Sequence, residues 1–196
     1  MNVITHYDML IDENNDSFRD PPEIQEYMNK WDGQLFLDAL KLDKKKNVLE
    51  IGIGTGRIAR KVAPYCLKLT GIDISPKTVE RAQENLKDYP NISFVCDDFN
   101  RYVFEETFDV IYSSLTMMHF EDKKQVISKV DRLLNKEGIF CLSIDKDQSE
   151  YIDMQTRKIM VYPDTPNNII SLISESDMTV KNIFETEFAY IIVSNK

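Results

Sequence analysis

From Asn47 onward, short apolar runs rich in β-branched residues alternate with amphipathic segments. Strands covered on both faces read as near-continuous apolar runs, while the helices between them carry a single apolar stripe, so this alternation predicts βαβ units feeding a parallel sheet. The runs place strands at Asn47–Ile51, Lys68–Asp73, Ile92–Cys96, Phe108–Ser113 and Ile139–Ile144. Two more, near Val180–Glu187 and Phe188–Ser194, close the chain as an antiparallel pair. Helical stripes fall at Val79, Ala82 and Leu86, at Val126, Ile127, Val130, Leu133 and Leu134, and at Ile169, Ile170 and Ile173. The expected fold is a three-layer α/β sandwich around a seven-stranded, mostly parallel sheet with an antiparallel strand at the C-terminal end.

Residues 1 to 43 have a different character. They hold an acidic polar stretch, Asp12 to Asp16, then Pro21-Pro22, then apolar positions at Ile24, Tyr27, Met28, Trp31, Leu35, Phe36 and Leu40. That spacing is helical, with Gly33 as an interruption. The segment is expected to form a helical N-terminal cover over a core at 44–196, the whole making one domain, since 196 residues leave little room for two.

Composition narrows the partners. A formal charge of −9 repels polyanions. The only basic run, Lys44-Lys45-Lys46, reads as a solvated turn before the first strand, so no nucleic-acid partner is expected. Cys66, Cys96 and Cys141 are odd in number and widely spaced, which suits buried thiols in a reducing compartment and gives no metal site. Without a signal-type or membrane-length apolar run, the expectation is a cytoplasmic protein with no membrane partner. Its oligomeric state is not readable.

The chemistry concentrates in Val48-Leu49-Glu50-Ile51-Gly52-Ile53-Gly54-Thr55-Gly56-Arg57-Ile58-Ala59, a strand running into a glycine-rich turn and then a helix. Glycines at such a turn permit left-handed backbone and close approach of a ligand. A nicotinamide-binding turn reads GxGxxG; here Arg57 stands where that pattern places its third glycine. Asp73 ends the second strand, where a carboxylate can accept both hydroxyls of a ribose. Ser75 before Pro76 is the better helix cap, which leaves Asp73 for a ligand.

Glu50, Gly52, Gly54 and Gly56 resemble motif I of class I S-adenosylmethionine-dependent methyltransferases, which have a Rossmann-like fold. Three further matches follow in order: Phe94 to Phe99 after the third strand, Phe108 to Phe120 across the fourth strand and its loop, and Leu133 to Phe140. The resemblance covers 47–145. It implies S-adenosylmethionine as cofactor, with Asp97 or Asp98 accepting from the adenine amino group, an apolar neighbour such as Phe99 against the ring, and Ile74 and Ser113 nearby. It also implies that the N-terminal segment folds over the cofactor, making Tyr7 a contact near the methionine end. Ser176-Asp177-Met178 departs from the family's Ala-Gly-Phe-like turn.

Methyl transfer from a sulfonium needs alignment and exclusion of water more than a nucleophilic side chain or a metal. His119, after the fourth strand, either faces the transferred methyl as a candidate catalytic or substrate-side residue, or packs between Met118 and Phe120. Trp31 is a candidate on the substrate side, or core, sharing a stripe with Met28 and Leu35. The loop Ser113-Ser114-Leu115-Thr116 has none of the D/N-P-P-Y/F sequence that similar enzymes use on adenine or glutamine nitrogen, which favours a small-molecule acceptor. Two rivals share these features: a non-catalytic cofactor-binding or regulatory module, and a nicotinamide-dependent oxidoreductase.

Overall fold

The computed structural model describes residues 1–196. Three helices open the chain: α1 (Val3–Asp12), α2 (Pro22–Met28) and α3 (Gly33–Ala39). Then come β1 (Asn47–Ile51), α4 (Ala59–Val62), β2 (Lys68–Asp73), α5 (Pro76–Asn85), β3 (Ile92–Cys96) and β4 (Phe108–Ser114). The C-terminal part holds α6 (Lys123–Leu133), β5 (Leu134–Asp145), β6 (Tyr151–Asp153), β7 (Lys158–Met160), α7 (Pro166–Ser174), β8 (Thr179–Glu185) and β9 (Ala189–Asn195).

Seven strands form one sheet in the order β3-β2-β1-β4-β5-β9-β8. All inner pairs are parallel except those made by β9, which runs antiparallel to both β5 and β8. This is the Rossmann-like three-layer architecture expected from the alternating pattern. Strand order reverses between β1 and β4, so the crevice at their carboxyl ends is where an open α/β sheet binds ligands.

Strand alternation splits the core in two. Leu49 and Ile51 of β1 and Ile111 of β4 point into one cluster with Val126, Ile127 and Val130 of α6 and Ile169 and Ile173 of α7. Val48, Val110 and Tyr112 point into the other, against Phe36, Ala59, Val62 and Leu86. The helices are started by their own sequences. Ser75 accepts from the Thr78 N–H ahead of α5, Asp122 from Gln125 ahead of α6 and Thr165 from Asn168 ahead of α7, with proline in the first turn of α5 and α7. Each cap satisfies a donor that the helix itself leaves unpaired.

The structure departs from the sequence expectations at several points. The stripe from Ile24 to Leu40 is two short helices, α2 and α3, separated by a turn at 29–32; Gly33 enters α3 at φ 63°, which breaks the helical path. Trp31 therefore lies in the turn and shares no helical face with Leu35, which is 48% exposed. Cys96 is exposed, unlike Cys66 and Cys141, because it ends β3 at the sheet edge. The loop at 145–166 contains the β6–β7 hairpin, whose three-residue strands are too short to leave a periodic signature. Strand β5 starts at Leu134, before the Gly138 expected to precede it, through an irregular pairing with β4. The Ser176 turn is closed by its own hydroxyl, which donates to the Ile173 carbonyl at 2.7 Å and accepts from the Met178 N–H at 3.2 Å.

Candidate cofactor and acceptor site

A cavity of about 530 Å³ opens at the carboxyl ends of β1 to β4, beneath α1. Its floor is the glycine-rich turn. Gly52 has φ 77°, and a Cβ there would stand 2.2 Å from the Thr116 hydroxyl, so only glycine lets the loop after β4 close onto the turn. Gly54 has φ 56°, and a Cβ there would project into open space with no atom within 4 Å. Backbone is thus laid bare to a ligand at Gly54. Gly56 lies outside the cavity wall and packs on Leu86 instead.

Asp73 stands at the end of β2 beside this turn. Its Oδ2 accepts from the Gly54 N–H at 3.0 Å and its Oδ1 from the Ser75 N–H at 3.1 Å. Burial raises its carboxyl above the usual carboxylate value, against the lowering effect of the Ser75, Gly54 and Ile74 N–H groups. The backbone bonds fix its orientation while each oxygen keeps acceptor capacity toward the cavity. Ile74, Asp97, Asp98 and Phe99 line the same wall. Asp97 and Asp98 both reach it, their Oδ1 atoms accepting from the N–H groups of Asp98 and Asn100. Ser113 does not: it is fully buried, and its hydroxyl donates to the Ile51 carbonyl, while its neighbour Ser114 takes the wall position.

Glu50 lies at the back, 3% exposed, with the Tyr112 hydroxyl donating to Oε2 at 2.8 Å. Burial pushes its carboxyl up to about 8, in spite of Tyr112 and Arg57. Next to it sits a group that sequence reasoning missed. Arg57 forms a buried, two-pronged ion pair with Asp32, which also accepts from the Ser114 hydroxyl at 2.9 Å and the Gly33 N–H at 2.7 Å. Burial alone would raise the Asp32 carboxyl, but Arg57, Gly33 and Ser114 hold it below its ordinary range. The residue that breaks the nicotinamide pattern thus clasps the N-terminal cover to the glycine turn. The only hint was an arginine where a glycine was the alternative.

The cover is pinned along α1. Asp8 accepts from the Ser75 hydroxyl at 2.7 Å, Asp12 pairs with Lys77 at 2.6 Å, and Glu13 takes two bonds from Arg157. In the middle, the Tyr7 hydroxyl and His119 Nε2 stand 2.7 Å apart across the cavity mouth. Burial drives His119 from 6.5 down to about 4, aided by His6 and Lys123, so its ring is neutral near pH 7. Its Nδ1 is buried without a partner. Tyr7 is pushed upward by burial and by Asp73, so it remains a phenol. Trp31 lines neither this cavity nor the adjoining one; its indole N–H donates to Asp145 at 2.8 Å and its ring packs on Phe188.

A parallel sheet with this reversal, a glycine-rich turn after its first strand and an acid ending its second is a Rossmann-like arrangement, with its crevice at the carboxyl ends of the strands. Residues 49–142 match the family described as "Methyltransferase domain".

Among solved structures, the N-methyltransferase NodS from Bradyrhizobium japonicum, in complex with S-adenosyl-l-homocysteine, superposes with a TM-score of 0.78 at 20% identity, over 100% of this chain and 99% of that one. Among curated relatives, the malonyl-[acyl-carrier protein] O-methyltransferase 1 of Ilyobacter polytropus is 34% identical over 102 residues, 51% of this chain and 38% of that protein. Nodulation protein S of Sinorhizobium fredii is 29% identical over 89 residues, 45% of this chain and 41% of that protein. The chain matches less than half the length of these two relatives. No helix is long and apolar enough to cross a membrane.

Proposed function

We propose that this chain folds as one domain that acts as an S-adenosylmethionine-dependent methyltransferase on a small-molecule acceptor. The observation that carries the reading is the open cradle at Gly54 beside the backbone-fixed carboxylate of Asp73. In this reading Gly52 and Gly54 take the methionine part of the cofactor, Asp73 the ribose hydroxyls, and Ile74, Asp97 or Asp98 and Phe99 the adenine. Bound there, S-adenosylmethionine supplies a methyl group whose bond to sulfur breaks onto sulfur as an acceptor lone pair bonds the carbon.

The chain's own residues do the rest by placement. The cover excludes water through the Tyr7–His119 contact and the Asp32–Arg57 clasp. A histidine whose pKa has fallen to about 4 is a weak base, so His119 serves as a neutral partner that holds the Tyr7 hydroxyl over the cavity rather than as the acceptor's main proton sink. A nicotinamide reading lacks support from the turn, since Arg57 is committed to Asp32.

The test is calorimetric titration of S-adenosylmethionine, with NADH as control, into wild type and Asp73→Ala. Binding to wild type that weakens by at least ~1.5 kcal/mol in the variant is expected, from loss of charge-assisted hydrogen bonds. Failure of folded wild type to bind, or preference for NADH, refutes the reading.

A further inference from the structure

The connection from β3 to β4, residues 97–107, contains no helix or strand, yet it supplies Asp97, Asp98, Phe99 and Asn100 to the wall of the cavity beneath α1. At its start it is tied to the sheet, the Asp97 N–H donating to the Asp73 carbonyl at 3.0 Å. It then makes one helical turn. The Asp98 carboxylate accepts from the Asn100 N–H at 2.8 Å, and the Asp98 carbonyl accepts from the N–H groups of Arg101 and Tyr102 at 3.0 and 2.9 Å. A single turn fixes several backbone angles for very few hydrogen bonds, so it does not hold its shape alone. Its last carbonyls also need donors from outside.

Lys129, on the buried side of α6, supplies them. Its ammonium donates to the carbonyls of Phe99 and Tyr102 and lies 4.9 Å from the centre of the Phe99 ring and 5.5 Å from that of Phe104. Phe99 is thus gripped by its backbone and by its ring. Burial lowers the pKa of Lys129, with Arg132, against the pull of Asp98 and Asp97. An ammonium buried among carbonyls and ring faces costs more than an apolar side chain in the same place, so stability alone does not account for it. Arg101, the other cation of this turn, stands 3.7 Å from Asp98 with its side chain 86% exposed, where solvent screens it.

We propose that Lys129 is a positioning residue for base recognition: its buried ammonium closes the turn at 98–102 and so holds the Asp97–Asp98 carboxylates and the Phe99 ring where they read the exocyclic amine of an adenine. Two adjacent carboxylates repel each other, and a cation behind them favours keeping both ionised as acceptors. A wall held in this way is formed before the ligand arrives, so binding does not have to order it. The identity of the base rests on the cofactor reading proposed above, the staple on the contacts of Lys129 alone.

Lys129→Met keeps the length of the side chain and a soft group against both rings but removes the donors and the charge. Lys129→Gln restores neutral donors and carries the same comparison if the methionine variant fails to fold. S-adenosylhomocysteine and S-inosylhomocysteine, in which a carbonyl oxygen replaces the exocyclic amine, are titrated by calorimetry into wild type, both variants and Asp73→Ala. Hydrogen exchange is followed on the ligand-free proteins. Wild type is expected to favour the adenosyl ligand by at least ~10-fold, and Lys129→Met to reduce that preference below ~3-fold, with Lys129→Gln between them. Asp73→Ala should weaken both ligands alike and keep the preference, as a loss away from the base does. Without ligand, protection at 98–104 should fall in Lys129→Met while β1 and β4 keep theirs. Wild type that binds both ligands equally, a preference unchanged in the folded variants, or unchanged exchange at 98–104 overturns the proposal. Wild type that binds neither ligand sinks the cofactor reading, and the base recognition with it.

Discussion

Glu50→Gln should change how the stability of the protein depends on pH. The carboxyl sits behind the glycine turn with one strong partner, Tyr112, and burial lifts its pKa from 4.5 to about 8. A raised pKa in the folded state means that unfolding releases a proton at intermediate pH. Its contribution is therefore complete below 4.5 and is lost as pH rises through about 8. For these two values the loss between pH 7 and pH 9 is ~1.3 kcal/mol. Glutamine keeps the shape and accepts the Tyr112 hydroxyl but does not titrate. Urea denaturation of both proteins at the two pH values isolates the Glu50 contribution, because every other titrating group cancels in the difference. The stability of Glu50→Gln relative to wild type should rise by about 1 kcal/mol from pH 7 to pH 9. Parallel pH curves would show that Glu50 is ionised in the folded state and that the burial argument is mistaken.

The remaining predictions concern the cover. Arg57→Met should destabilise the protein by ~3–5 kcal/mol in urea denaturation, because Asp32 would be left buried with only the Ser114 hydroxyl and the Gly33 N–H; a loss under ~1 kcal/mol would mean that the clasp is solvated. Tyr7→Phe should leave His119 without a partner at the cavity mouth and lower the hydrogen-exchange protection of α1 by ~1–2 kcal/mol with β1 to β5 unaffected. Unchanged exchange in α1 would show that the ion pairs of Asp12 and Glu13 alone hold the cover. If the proposed cofactor binds, S-adenosylmethionine should dissociate faster from the same variant, measured by stopped-flow fluorescence, since the cover opens more often. An unchanged off-rate would place the exit elsewhere.

Much of this protein is determined by residue order alone. Runs such as Val48 to Ile51 and Leu69 to Ile72 are buried on both faces, so period and position disclose the parallel sheet and hence its ligand-binding edge. The caps Ser75, Asp122 and Thr165 act within one helical turn, and Ser75 with Pro76 was legible for that reason. The glycines of the turn and Asp73 were legible because a local backbone conformation and a strand end are short-range properties. Tertiary structure decided what depends on residues far apart in the chain. Arg57 meets Asp32 across 25 positions, Tyr7 meets His119 across 112, and Trp31 meets Asp145 across 114. No periodicity encodes such pairings. Ser113 and Ser114 show the same limit at its smallest scale: alternate residues of a strand face opposite sides, so a single step along β4 separates a hydroxyl locked on the Ile51 carbonyl from one in the cavity wall.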